Sequence, residues 1–126
     1  LEDPSILEQR AQALDLLEQI LTLTRAQRFE IADDLSKDKL ALYPLLELWQ
    51  SYWRDLLLLN QQAGIPPANG DRLAGLEQLA HHTVPDDAVR ALKATRTLSQ
   101  NLSTNVNLRL ALEVMFLDYP GLVTGN

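Results

Sequence analysis

The sequence predicts an all-α fold, a single compact domain of five to six helices around a central tryptophan-rich one, and three observations carry that expectation. Apolar residues recur at helical spacing through almost every segment of the 126 residues. Helix-opening signals (Asp3-Pro4, Thr24 with Gln27, Pro85) stand directly in front of those segments. No segment alternates apolar and polar residues as a half-buried strand would. A chain of this length can bury a substantial core as one domain.

The first helix opens at Asp3-Pro4, because aspartate can cap and the missing N–H of proline had no intrahelical partner. Ile6, Leu7, Leu14, Leu17 and Leu21 share its apolar side, and it is expected to run to about Leu23. Thr24 and Gln27 form a capping box for a short second helix with Phe29 and Ala32 inward. Ser36 is a candidate cap for a longer third helix. Its stripe of Leu42, Leu45, Leu46, Trp49, Tyr52, Trp53, Leu56 and Leu57 is widened by Leu48, Leu58 and Leu59. A helix apolar nearly all round belongs at the centre of a domain. Pro44 conflicts with an unbroken helix, so the expectation is either a kink there or a start at Tyr43.

Residues 63–70, with Gly64, Pro66, Pro67, Asn69 and Gly70, form the clearest loop. A fourth helix follows from about Asp71, with Leu73, Leu76, Leu79 and Ala80 inward. A fifth opens at Pro85 and turns Ala88, Ala91, Leu92, Thr95, Leu98 and Leu102 to one side. The sixth begins near Asn105 and stops before Tyr119-Pro120-Gly121, with Asn105 or Asn107 as its cap. The helical domain is therefore assigned to residues 1–121 and a flexible tail to residues 122–126. The expected core is Trp49, Tyr52, Trp53, Leu56 and Leu57, packed against the last helix through Leu108, Leu112 and Met115.

Composition narrows function mostly by exclusion. Seventeen acidic against eleven basic residues give a net charge of −6, which disfavours a surface built to grip phosphates. No apolar run approaches the ~18 residues of a membrane span; the longest pure one is residues 56–59. No secretory signal is visible, and the absence of cysteine is compatible with a reducing cytoplasm, which is the expected location.

Catalytic candidates are few. His81 and His82 are adjacent, so they point about 100° apart and cannot clasp one metal as an i, i+4 pair would. Glu77 has the right spacing to His81 but no further ligand beside it, and no phosphate loop or nucleophile elbow is present. Asp33-Asp34 and Asp86-Asp87 read as a surface helix and a favourable first turn. The expectation is no catalytic residue, no metal and no cofactor.

Asp55 shares its stripe with Leu48, Tyr52 and Leu59, so its carboxylate is expected partly inside, where it requires a cation or several donors. Arg54 faces the other way with Gln50, and Arg90 and Lys93 line the outer side of the fifth helix with Thr97 and, at the margin, Arg96. These, with Arg109 and Glu113, are the candidate interface residues: Gln50, Arg54, Arg90, Lys93, Arg109 and Glu113. The plainer reading of each is a solvated helix face.

Two motifs go further. Asn105-Val106-Asn107-Leu108-Arg109-Leu110-Ala111-Leu112-Glu113 resembles the end of the C-terminal domain of the bacterial DNA polymerase III clamp-loader delta-prime subunit. Trp49-Gln50-Ser51-Tyr52-Trp53-Arg54-Asp55-Leu56-Leu57 resembles its tryptophan-rich helix, and Asn69-Gly70-Asp71 stands between the two. The resemblance covers most of residues 1–121. It implies a collar domain that joins delta-prime to delta and gamma/tau in a hetero-pentameric ring. The AAA+ domains of such a subunit are not in this chain, and association with DNA and the sliding clamp would be indirect. The related gamma/tau subunit shares the Arg-Leu-x-Leu-Glu ending, here residues 109–113. The isolated domain is then expected to be largely monomeric. Two other classes stay open. A peptide-binding helical adaptor predicts a solvent-exposed apolar stripe, and a helical-bundle enzyme predicts carboxylates and histidines clustered in the core.

Overall fold

Local capping chemistry marks where most of the helices begin in the computed structural model, which describes residues 3–122. The helices are α1 (Pro4–Ile20), α2 (Arg25–Leu35), α3 (Lys39–Asn60), α4 (Leu73–Ala80), α5 (Pro85–Asn101) and α6 (Leu108–Leu117), with a 3-10 turn at Gly70–Arg72 before α4. No strand occurs among the described residues. Asp3 Oδ1 accepts the Ser5 N–H at the head of α1. The capping box of α2 is complete: Thr24 Oγ1 accepts from Gln27 N–H at 3.2 Å and Gln27 Oε1 accepts from Thr24 N–H at 2.9 Å. The Asp87 carboxylate takes the Val84 N–H at 2.9 Å where α5 starts. At α6 the cap is Asn107, whose Oδ1 accepts from Leu110 N–H, so the helix opens later than Asn105.

Several boundaries differ from expectation. α1 ends at Ile20, short of Leu23, because residues 21–23 turn tightly to reach the Thr24 cap. Asp38, rather than Ser36, caps α3 through Ala41 N–H, while the Ser36 hydroxyl donates back to the Asp33 carbonyl. α3 therefore starts well before Tyr43 and continues as helix through Pro44. Leu40 and Pro44 are both exposed, so water can satisfy the Leu40 carbonyl that the proline leaves without its donor.

α3 is the central element, packed by α1, α4 and α5, while α6 lies chiefly against α2 and α5. Leu42, Leu46, Trp49, Tyr52, Trp53 and Leu56 are buried on α3, and the whole expected inner stripe of α5 is buried with them. Trp49 donates its indole N–H to the Ala13 carbonyl at 2.9 Å, which fixes α3 against α1. Aromatic edges connect α3 to the end of the chain: Trp53 to Tyr119 at 4.8 Å and Trp49 to Phe116 at 6.2 Å between ring centres. Of the expected core, Leu57 and Leu108 are only half-buried. Phe116 and Tyr119, which were not in that list, carry the ring contacts to α3.

Two charges lie inside this core, each held by dipoles rather than by an opposite charge. Asp55 Oδ1 accepts from Ala68 N–H at 2.7 Å, and Oδ2 accepts from the backbone and side-chain N–H of Asn69, both at 2.8 Å. Arg10 then donates to the Asn69 side-chain oxygen and to both oxygens of Asp71. The proline-rich loop is thus pinned to α3 and α1 by one polar chain. Arg28 donates to four carbonyls, of Ile20, Phe116, Tyr119 and Pro120, closing the ends of α1 and α6 together. Burial pulls its pKa below the usual guanidinium value.

A third polar knot joins α1, α3 and α4. Glu18 accepts from the Tyr52 hydroxyl at 2.9 Å and from Arg72, which also bonds Asp15. Burial, then the Glu18 charge, pushes the Tyr52 phenol far above its usual range. A Cβ at Gly75 would press on the Glu18 carboxylate, so a side chain there would displace the Glu18 end of this knot. Leu122, read as the start of the tail, donates its N–H to the Leu21 carbonyl at 2.8 Å and packs on the core. Residues 123–126 lie outside the described residues.

Candidate interaction groove between α5 and α6

The ten residues of α6 divide into two apolar stripes. Leu112, Met115 and Phe116 point inward and are buried. Leu110, Val114 and Leu117, spaced i, i+4 and i+7, are exposed by 54%, 53% and 53%. An aliphatic stripe that is more than half exposed on a ten-residue helix is apolar surface left without an intramolecular partner.

Beside it runs a groove. α5 contributes Arg90, Lys93, Ala94, Thr97, Leu98 and Asn101, residues that share one face of the helix. α6 contributes Asn107, Leu110, Ala111, Val114, Met115 and Asp118, and the connecting loop adds Asn105 and Val106. Val106 is fully exposed at the rim. The middle of the groove is aliphatic, one end carries the amides of Asn101, Asn105 and Asn107, and the other carries Arg90, Lys93 and Asp118. Two antiparallel helices with side chains of modest size between them leave such a trough.

The candidate interface residues fall in three places. Arg90 and Lys93 line the groove; Arg90 also pairs with Asp87 at 2.8 Å, while Lys93 makes no ion pair among the described residues. Arg109 and Glu113 lie on the opposite flank of α6, paired with each other at 3.4 Å, with Asp33 of α2 at 3.9 Å from Arg109. Arg54 is exposed on α3, outside the groove, and makes no ion pair among the described residues. Gln50 is a correction in position: it is buried, 7% exposed, and not on the outer face beside Arg54 where its helical spacing placed it.

Sequence reasoning missed Leu110, Val114 and Leu117 as a surface, and Arg28 as a buried donor. For Arg28 a signal existed: it lies four residues before buried Ala32, on the same side of α2. His81 and His82 are exposed at the end of α4, with His82 Nδ1 2.9 Å from the Gln78 carbonyl. Among the described residues no group of His, Asp and Glu is placed to hold a metal ion, and no helix is long and apolar enough to cross a membrane. Comparison with known proteins returns no match: no family model fits the chain, and no curated protein or solved structure is significantly similar to it.

Proposed function

We propose that this chain is a non-catalytic assembly domain, the collar domain of a cytoplasmic clamp-loader delta-prime subunit, which joins delta and gamma/tau through the face between α5 and α6. The observation that carries the reading is the half-exposed stripe of Leu110, Val114 and Leu117, of which Leu110 and Val114 line the groove, on the very helix that the Asn-x-Asn motif opens. Burying an aliphatic side chain contributes about 1.5–3 kcal/mol when complete. Three half-exposed ones therefore hold a few kcal/mol that only a partner can release. A position in a ring needs a second contact, and Arg54 on α3, away from the groove, is the candidate for it.

A second reading, a helical adaptor that seats a peptide of an unrelated protein, is favoured by the same stripe, since an exposed apolar surface is what that class predicts. Mixing the chain with the C-terminal domains of delta and gamma/tau, followed by size-exclusion chromatography with light scattering, separates the two. The collar reading predicts a hetero-complex that is lost when Leu110 and Val114 are both changed to Glu, and a largely monomeric chain by itself. No complex with any loader subunit, or a tight obligate homodimer, defeats it and leaves the adaptor.

A further inference from the structure

The charges around the groove specify its occupant more closely than its apolar floor does. Resting on the reading that the α5–α6 face is the docking surface, we infer that its occupant is an amphipathic helix whose aliphatic stripe is flanked by carboxylates at the end that meets Arg90 and Lys93.

A helix suits the trough because a ridge of side chains on one helix packs into the furrow left by two others. A strand would need an unpaired sheet edge, and none exists among the described residues. The floor along α6 runs from Asn107 to Asp118. At 1.5 Å per residue that is ~17 Å, or about three turns of a partner. Arg90 and Lys93 stand one turn apart on α5, so carboxylates at i and i+3 or i+4 of the occupant can face both. Arg90 already pairs with Asp87 at 2.8 Å, so Lys93, which has no carboxylate of its own among the described residues, is the cation that carries the preference. The lining offers a cationic occupant only Asp118, at the same end. The opposite end is amide rather than charged, which leaves the orientation of the occupant to the charged end.

The whole molecule argues for the reverse preference, which makes the inference sharp. A chain of net charge −6 attracts cationic peptides at long range. Near physiological salt the screening length falls to about 8 Å, so contacts at the groove can outweigh that pull.

The test uses the intact chain and two synthetic fluorescein-labelled peptides of about 18 residues, long enough to cover the floor. Both carry the same leucine stripe at helical spacing; one is flanked by glutamates and the other by lysines. Anisotropy titration at physiological salt should show the glutamate peptide binding at least about tenfold more tightly, roughly 1.4 kcal/mol. The double variant R90E/K93E should reverse the order, and Val114→Glu should abolish binding of both, with circular dichroism confirming that each variant is folded. Equal binding, preference for the lysine peptide on the unaltered chain, failure of the glutamate peptide to bind, or a preference that survives R90E/K93E overturns the inference. If Val114→Glu abolishes binding but no charge preference exists, the docking surface stands and only the acidic occupant falls. If both peptides still bind to Val114→Glu, the docking surface falls too.

Discussion

The two faces of α6 have similar composition and opposite fates. Leu112, Met115 and Phe116 are sealed inside, while Leu110, Val114 and Leu117 remain in water on the same ten residues. Side-chain chemistry does not separate them. What separates them is the neighbour: α2 and α5 close over one face, while on the other Leu110 and Val114 line the groove beside α5 and Leu117 lies toward Arg25 and Phe29 of α2. A helix that is apolar on two sides belongs either at the centre of a domain or between two molecules. α3 is the first case in this chain, and α6 supports the second.

The comparison breaks most visibly at neighbouring residues. Phe116→Ala should cost ~3–5 kcal/mol in chemical denaturation, as large buried aromatics do, and Trp53→Ala should match it. Leu117→Ala, one position on, should stay within about 0.5 kcal/mol. A loss below about 1 kcal/mol for Phe116 would place the inner face at a surface.

Asp55→Ala comes next. It strands the backbone N–H and a side-chain N–H of buried Asn69, while exposed Ala68 can turn its N–H to water, and at about 1–3 kcal/mol for each unsatisfied buried donor the expected loss is about 2–4 kcal/mol. Urea unfolding measures it; near-neutrality would show that the loop holds without its carboxylate anchor.

Arg28→Met sharpens the contrast from the far end of α6. It removes donors from the carbonyls of Phe116, Tyr119 and Pro120, and hydrogen bonds to a charged group are worth about 1.5–3 kcal/mol. The expected result is a stability loss of about that size with faster amide exchange through the last turn of α6. Exchange that speeds up in α3 instead would contradict the role assigned to Arg28.

Val114→Glu is the smallest effect on the fold, within about 0.5 kcal/mol, and the largest on assembly. A glutamate there stays in water in the free chain but must be desolvated under a partner.

Much of this architecture was readable beforehand, and the exceptions have physical reasons. The inner stripe of α5 follows from helical period because only one side of it is apolar, and the central place of α3 follows from its being apolar nearly all round. That Asp55 needed donors also followed from its place among Leu48, Tyr52 and Leu59. Which donors it found did not, since the amides of Ala68 and Asn69 reach it only through the path of a proline-rich loop. Gln50 and Arg28 look solvated by residue type, and both are buried because elements distant in sequence close over them. On α6 periodicity picked the inward stripe, since Leu112 and Met115 are buried and Leu108 half-buried, but it could not say that the second apolar stripe, Leu110, Val114 and Leu117, would be left more than half exposed. The groove is invisible in the sequence for the same reason: it is the space between two helices.

The most direct test of the docking face is a methyl-resolved NMR titration of the intact chain with the C-terminal domain of a loader subunit. The methyl signals of Leu110, Val114 and Leu117 should shift or broaden on addition, those of buried Leu14 and Leu17 on α1 should stay in place, and Val114→Glu should abolish the response. A complex that forms while the outer methyls of α6 remain unchanged would contradict the assignment of the α5–α6 face as the surface through which this chain assembles.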